Sequence, residues 1–193
     1  MALNPQFEDE GASAPIVTSS KANKPRAKPK AKKTMADYAD KGKWAEAQVQ
    51  EWLDEKLKAF RNFWYHRYPD ARAARGALAP QPSDFEVSYC WGSRYDSSSR
   101  YSIKLEVKET KLINRLPLEK IGQYGKLKMA WWSGHRCFVV IYRSEKNDWT
   151  WLADYEIFQY DDAPPSFPLN KERSFTSAKE VMDEIHRQLT EER

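Results

Sequence analysis

The run Cys-Phe-Val-Val-Ile-Tyr at residues 137–142 constrains the fold of this chain more than any other stretch. Six consecutive apolar residues, three of them β-branched, cannot alternate between core and water, so as a strand they need cover on both faces. Such a strand belongs at the centre of a sheet with helices on either side, and the flanking sequence supplies them. From Ala36 to Phe60 the residues Ala45, Val49, Trp52, Leu53, Leu57 and Phe60 recur at helical spacing. Glu46 falls inside that stripe, either at its rim in water or as a buried carboxylate that needs a partner. Residues 117–133 predict a second helix, with Pro117 at its start and Leu118, Ile121, Gly125, Met129 and Trp132 on one side. Ser177 and Glu180 form a capping box ahead of Val181, Ile185 and Leu189, a closing amphipathic helix.

Strands are expected at 83–91, where Phe85, Val87, Tyr89 and Trp91 alternate with Asp84, Glu86 and Ser88, and at 103–111, "IKLEVKETK". These two pair as an antiparallel hairpin across "GSRYDSSSR", a turn or short flap. A further strand, "WTWLADYEIF", ends near Tyr155, and a loop carrying Arg67, Arg72 and Arg75 precedes Asp84. The order is helix, strands, helix, strands, helix. It predicts one α/β domain over residues 36–193, a mixed β-sheet flanked by helices.

The charge is unevenly placed. Of 32 basic and 28 acidic residues, seven basic ones (Lys21, Lys24, Arg26, Lys28, Lys30, Lys32 and Lys33) fall within residues 21–33 and three acids precede them, leaving 25 of each sign beyond. A segment rich in Ala, Lys and Pro has nothing to bury, so residues 1–35 are expected to be a disordered basic tail. It serves either as a solubilising extension or as an arm that neutralises nucleic-acid phosphates. No apolar run approaches the roughly 18 residues of a membrane span, and the N-terminus lacks a signal-peptide core. Cys90 and Cys137 match no disulfide framework or zinc pattern and read as free thiols. A cytoplasmic protein without membrane contact is expected. His66, His135 and His186 are scattered without ligand spacing, and Trp131, Trp132, Trp149 and Trp151 read as core.

In "IKLEVKETK" the period of two puts Glu106 and Lys108 on one face. That face is either solvated, with an ordinary ion pair, or half of a site that handles phosphodiesters. Asp84 on the neighbouring strand can approach Glu106, and paired carboxylates repel unless a cation lies between them; hard oxygen donors suit Mg²⁺ or Mn²⁺. Glu46 would then have company, and Lys108 could orient a nucleophile or neutralise phosphoryl charge. Glu86, on the same face, is the substitute for Asp84 under a different register.

These residues match the PD-(D/E)XK nuclease pattern. Within that superfamily the chain resembles the RecU family of Holliday-junction resolvases. The resemblance is carried by "DKGKWAE" at 40–46, "EVKETK" at 106–111, "LPLEKI" at 116–121, "CFVVIY" at 137–142 and "TWLADYEIF" at 150–158. It implies a restriction-endonuclease-like core with Asp84, Glu106 and Lys108 catalytic, Glu46 as the helix-borne acid, and Mg²⁺ held by Asp84, Glu106 and Glu46. It also implies a homodimer that cuts four-way DNA junctions, with the basic tail and Arg67, Arg72 and Arg75 on the DNA, and a phage-encoded enzyme is expected. Tyr124-Gly125 stand where the family has His-Gln, and the stalk segment before Asp84 is short. The alternatives are a nuclease for flapped, nicked or broken DNA, and a DNA-binding protein without catalysis.

Overall fold

The computed structural model of the chain describes residues 34–37, 40–69, 81–91 and 100–191. The basic tail, Arg72, Arg75 and residues 92–99 of the expected flap lie outside them. A short 3₁₀ turn at Met35–Asp37 leads to helix α1, Lys41–Ala59. Asp40 caps α1, its carboxylate accepting from the Gly42 amide at 2.8 Å, and Lys56 and Lys58 lie in the last turn where the helix dipole favours cations. Ala45, Val49, Trp52 and Leu53 are buried, whereas Leu57 and Phe60 are exposed. The apolar spacing continues after the helix has left the sheet, and Phe60 is already extended.

Five strands form one sheet in the order β1 (Phe63–Arg67), β2 (Phe85–Cys90), β3 (Arg100–Thr110), β5 (Arg136–Arg143) and β6 (Asp148–Ala153). A separate ribbon pairs β4 (Arg115–Pro117) with β7 (Ser166–Pro168). The β1/β2, β2/β3 and β5/β6 pairs are antiparallel and β3/β5 is parallel, so the sheet is mixed, as expected. The parallel pair needs a long crossover. It runs through β4, a 3₁₀ turn at Leu118–Lys120, and helix α2, Tyr124–Trp132. The apolar run sits in β5 and is buried from Cys137 onward.

Helices α1 and α4 (Ala178–Glu191) cover one face, packing Trp52, Leu53, Val181 and Ile185 on Leu105, Val107, Phe138 and Val140. Helices α2 and α3 (Asp154–Phe158) and the ribbon cover part of the other, over Val139, Ile141 and Leu152. That second cluster takes no side chain from β1, β2 or β3.

Several expectations are corrected. β1 replaces the first part of the loop expected before Asp84, which places Arg67 at a strand end. Strand β6 stops at Ala153, and Tyr155 is helical: Asp154 and Glu156 lie in the first turn of α3, and Glu156 accepts from the Ala153 amide at 2.9 Å. The helix expected at 117–133 shrinks to α2, because the 3₁₀ turn shifts its phase; Leu127 is buried while Met129 and Trp132 are exposed. Trp149 and Trp151 are core residues, Trp131 is half-buried, and Trp132 is not core. Ser177 caps α4 as expected, its Oγ accepting from the Glu180 amide, but the Glu180 carboxylate accepts from the Thr176 amide at 2.9 Å, one residue before the cap.

His186 of α4 sits among Trp52, Tyr89 and Tyr101 and shares a 2.8 Å hydrogen bond with the Tyr101 hydroxyl. Burial, reinforced by the Lys56 ammonium and opposed by Asp183, lowers its pKa. The folded state therefore binds fewer protons there than the unfolded chain, and this contribution to stability is lost as pH falls below about 6.5. Urea unfolding between about pH 7 and about pH 5 should show wild type losing more stability than His186→Gln. Equal losses would assign the acid sensitivity to other groups.

Candidate active site

Strand β3 outruns β2. The register between them ends at Phe85 opposite Leu105, while β3 stays paired with β5 as far as Thr110 opposite Arg143. From Glu106 onward one edge of β3 therefore has no strand beside it. Asp84 fills the gap: its Oδ2 accepts from the Val107 amide at 2.7 Å, and its carbonyl accepts from the Tyr68 amide at 2.9 Å. A carboxylate thus takes the place of a missing ladder partner and is fixed at the end of a central strand.

Because β3 is interior, two of its charged side chains are almost wholly withdrawn from solvent. Lys104 is 7% exposed and Glu106 3%. The Lys108 ammonium lies 2.5 Å from Glu106 Oε1 and 3.7 Å from Asp84 Oδ2. Glu106 Oε2 is buried and has no hydrogen-bond partner. Burial first, then the Asp84 charge, push the Glu106 pKa up to about 7, against the pull of Lys108. Burial also works against the Lys108 charge, but Glu106, Asp84 and Glu46 outweigh it and hold its pKa above the ordinary lysine value.

Glu46 joins this group from α1. Its Oε2 accepts from Arg67 at 2.8 Å, and Arg67 also donates to Gln50, one helical turn on, at 2.7 Å. The pKa of Glu46 is raised by burial and then by Asp84, with Arg67 and Lys108 opposing. The structure thus brings Glu46, Asp84, Glu106 and Lys108 together. Three carboxylates face two cations, and burial, reinforced by the Asp84 charge, raises the other two acids.

The other candidate residues fall elsewhere. Arg67, expected on DNA, has its guanidinium committed to Glu46 and Gln50. Glu86 is not a substitute for Asp84: it pairs with Lys104 at 2.7 Å and accepts from the Tyr68 hydroxyl. Gln50, four residues after Glu46 and so on the same helix face, carries no sequence signal beyond that spacing.

Among the described residues no three His, Cys, Asp or Glu side chains are gathered ready to hold a metal ion. The carboxylates turn instead to Lys108 and Arg67. The donor set still fits a hard divalent cation, since Glu106 Oε2 is an orphaned buried oxygen beside a second carboxylate. Among the described residues no helix is long and apolar enough to cross a membrane.

No family model and no curated protein matches the chain. Among solved structures it is similar to Hjc, a Holliday junction resolvase from the archaeal hyperthermophile Archaeoglobus fulgidus. The two are 17% identical with a TM-score of 0.39, over 70% of this chain and 96% of that one. A likeness so distant supports no assignment by itself.

A raised carboxyl pKa means that the fold holds the Glu106 proton to a higher pH than the unfolded chain does. Stability is therefore lost as pH rises from about 4.5 to about 7. In EDTA, Glu106→Gln should gain on wild type between about pH 5 and about pH 8, by on the order of 3 kcal/mol in urea unfolding. A pH-independent difference would show that Glu106 ionises normally.

Proposed function

We propose that this chain is a divalent-metal-dependent DNA endonuclease of the PD-(D/E)XK type, and within that class a Holliday-junction resolvase. The observation that carries the reading is the meeting of Asp84, Glu106 and Lys108 at the unpaired end of β3, with Glu106 Oε2 left unbonded. Asp84 and Glu106 would hold the metal, with Glu46 beside them. A bound Mg²⁺ or Mn²⁺ supplies charge that polarises a scissile phosphate and acidifies water.

The chain's own groups do the rest. Glu106 must release its proton to present Oε2 to a cation, so metal affinity falls as pH drops below about 7. Lys108, freed from Glu106, turns its ammonium toward the nucleophile or the phosphoryl oxygens, where preorganised charge is worth most in a buried site. Arg67 and Gln50 position Glu46 rather than contact DNA. Cleavage of two symmetric strands of a junction requires a second copy of the site, hence a homodimer. The basic tail, Arg72 and Arg75 are assigned to the DNA backbone, and a phage-encoded enzyme acting in the host cytoplasm completes the reading.

A second reading is favoured by one observation: Lys108 and Arg67 already counter the acids without a metal. In it Lys108 is a permanent counter-ion and the protein binds DNA without cutting it. Incubation with Mg²⁺ on a four-way junction and on a duplex of matched arm sequence separates the two. The nuclease reading expects paired nicks in the junction, loss of cleavage of at least about 100-fold in Glu106→Gln and Lys108→Ala, and DNA binding in EDTA within a few-fold of wild type. Intact DNA under all conditions favours the second reading. Equal cutting of junction and duplex removes the resolvase assignment alone.

A further inference from the structure

The second face of the sheet is covered over β5 and β6 by the second apolar cluster, which does not extend to β1, β2 or β3 among the described residues; there Trp64 is exposed and Ser88 and Ser102 are half-buried, whereas Lys104 and Glu106 are buried. The register aligns its side chains in rows that lead to the carboxylate site. Trp64 stands opposite Ser88 and Ser88 opposite Ser102; His66 stands opposite Glu86 and Glu86 opposite Lys104. Asp84 and Glu106 continue the same alternation one row further on. Ser102 precedes Glu106 by four residues on one strand, which sets the two rows about 13 Å apart at ~3.3 Å per residue. About four stacked nucleotides, or fewer extended ones, span that distance.

The upstream rows have the composition of a nucleotide site. An open depression of about 670 Å³ is lined by Trp64, Asn62, Ser88, Ser102 and Arg100, among others. Trp64 is 50% exposed, and the His66 ring lies nearly parallel to it, at 9° with centroids 6.2 Å apart. An exposed indole with a nearly parallel imidazole beside it, two hydroxyls and an exposed guanidinium suit a planar base and its phosphate.

We propose that the surface around Trp64 binds unpaired nucleotides of the DNA strand that enters the carboxylate site, with Trp64 stacking on a base and Arg100 contacting a phosphate. The link to cleavage rests on the nuclease reading above; the binding itself does not. It makes the preferred substrate a DNA whose strand is unpaired within a few nucleotides of the cut, as at a branch point or a flap.

Fluorescence anisotropy in EDTA, with a labelled oligothymidylate and a blunt duplex, tests it without any cleavage. Stacking worth ~1–3 kcal/mol per base predicts that Trp64→Ala weakens oligothymidylate binding by about 5-fold to about 150-fold. Duplex binding should change by less than about twofold, and Trp64→Phe, which keeps a ring, should retain most of the single-strand affinity. Unchanged oligothymidylate binding by Trp64→Ala would overturn the proposal, as would a parallel loss on duplex or an equal loss in Trp64→Phe. If wild type cuts junctions while Trp64→Ala binds oligothymidylate normally, only this proposal falls. If the Trp64 effect is present and no DNA is ever cut, only the nuclease reading falls.

Discussion

Strand β3 is buried on both faces, yet it carries a glutamate and a lysine two residues apart. That constraint organises the rest. The odd positions, Ile103, Leu105 and Val107, belong to the core under α1 and α4. The even positions must carry their charges into the interior, where an unpaired ion is very costly. Lys104 is settled by Glu86, and Lys108 by Glu106 and Asp84. The second group remains unbalanced because Glu46 adds a third carboxylate. Buried ion pairs are weak contributors to stability, so a cluster that leaves one carboxylate oxygen without a partner is better explained by a ligand than by folding.

The early end of β2 is the structural device behind this arrangement. Had the pairing run on to Thr110, a strand would occupy the place where Asp84 now accepts the Val107 amide. On the other side of β2 the paired strand β1 carries Trp64 and His66 on the same face. The carboxylate site and the aromatic surface are thus two parts of one sheet face, separated along the strands and by the width of β2.

Much of this was legible in the sequence for specific reasons. Residues 137–142 specify an interior strand because burial on both faces leaves no polar position. The pairing of Asp84 with Glu106 follows from two alternating strands and a hairpin. What was not legible depends on distant elements. Nothing local in "IKLEVKETK" says that the polar face of β3 is enclosed, since that follows from its interior place in the sheet. Arg67 reads as a basic loop residue until β1 forms, and its bond to Glu46 joins residues 21 positions apart. The alternating, aromatic-rich "FWYHR" could have disclosed β1 itself. The phase of α2 failed because a 3₁₀ turn, invisible to a helical period, precedes it.

The central claim is that the surplus negative charge of Glu46, Asp84 and Glu106 takes up a divalent cation. Calorimetric titration of Mn²⁺ into the protein, repeated in buffers of different ionisation enthalpy, tests it most directly. The account predicts saturable binding that is lost in Asp84→Asn and accompanied by more proton release at about pH 6 than at about pH 8, since Glu106 must give up its proton first. No saturable binding by wild type, or binding that Asp84→Asn leaves intact, would contradict it.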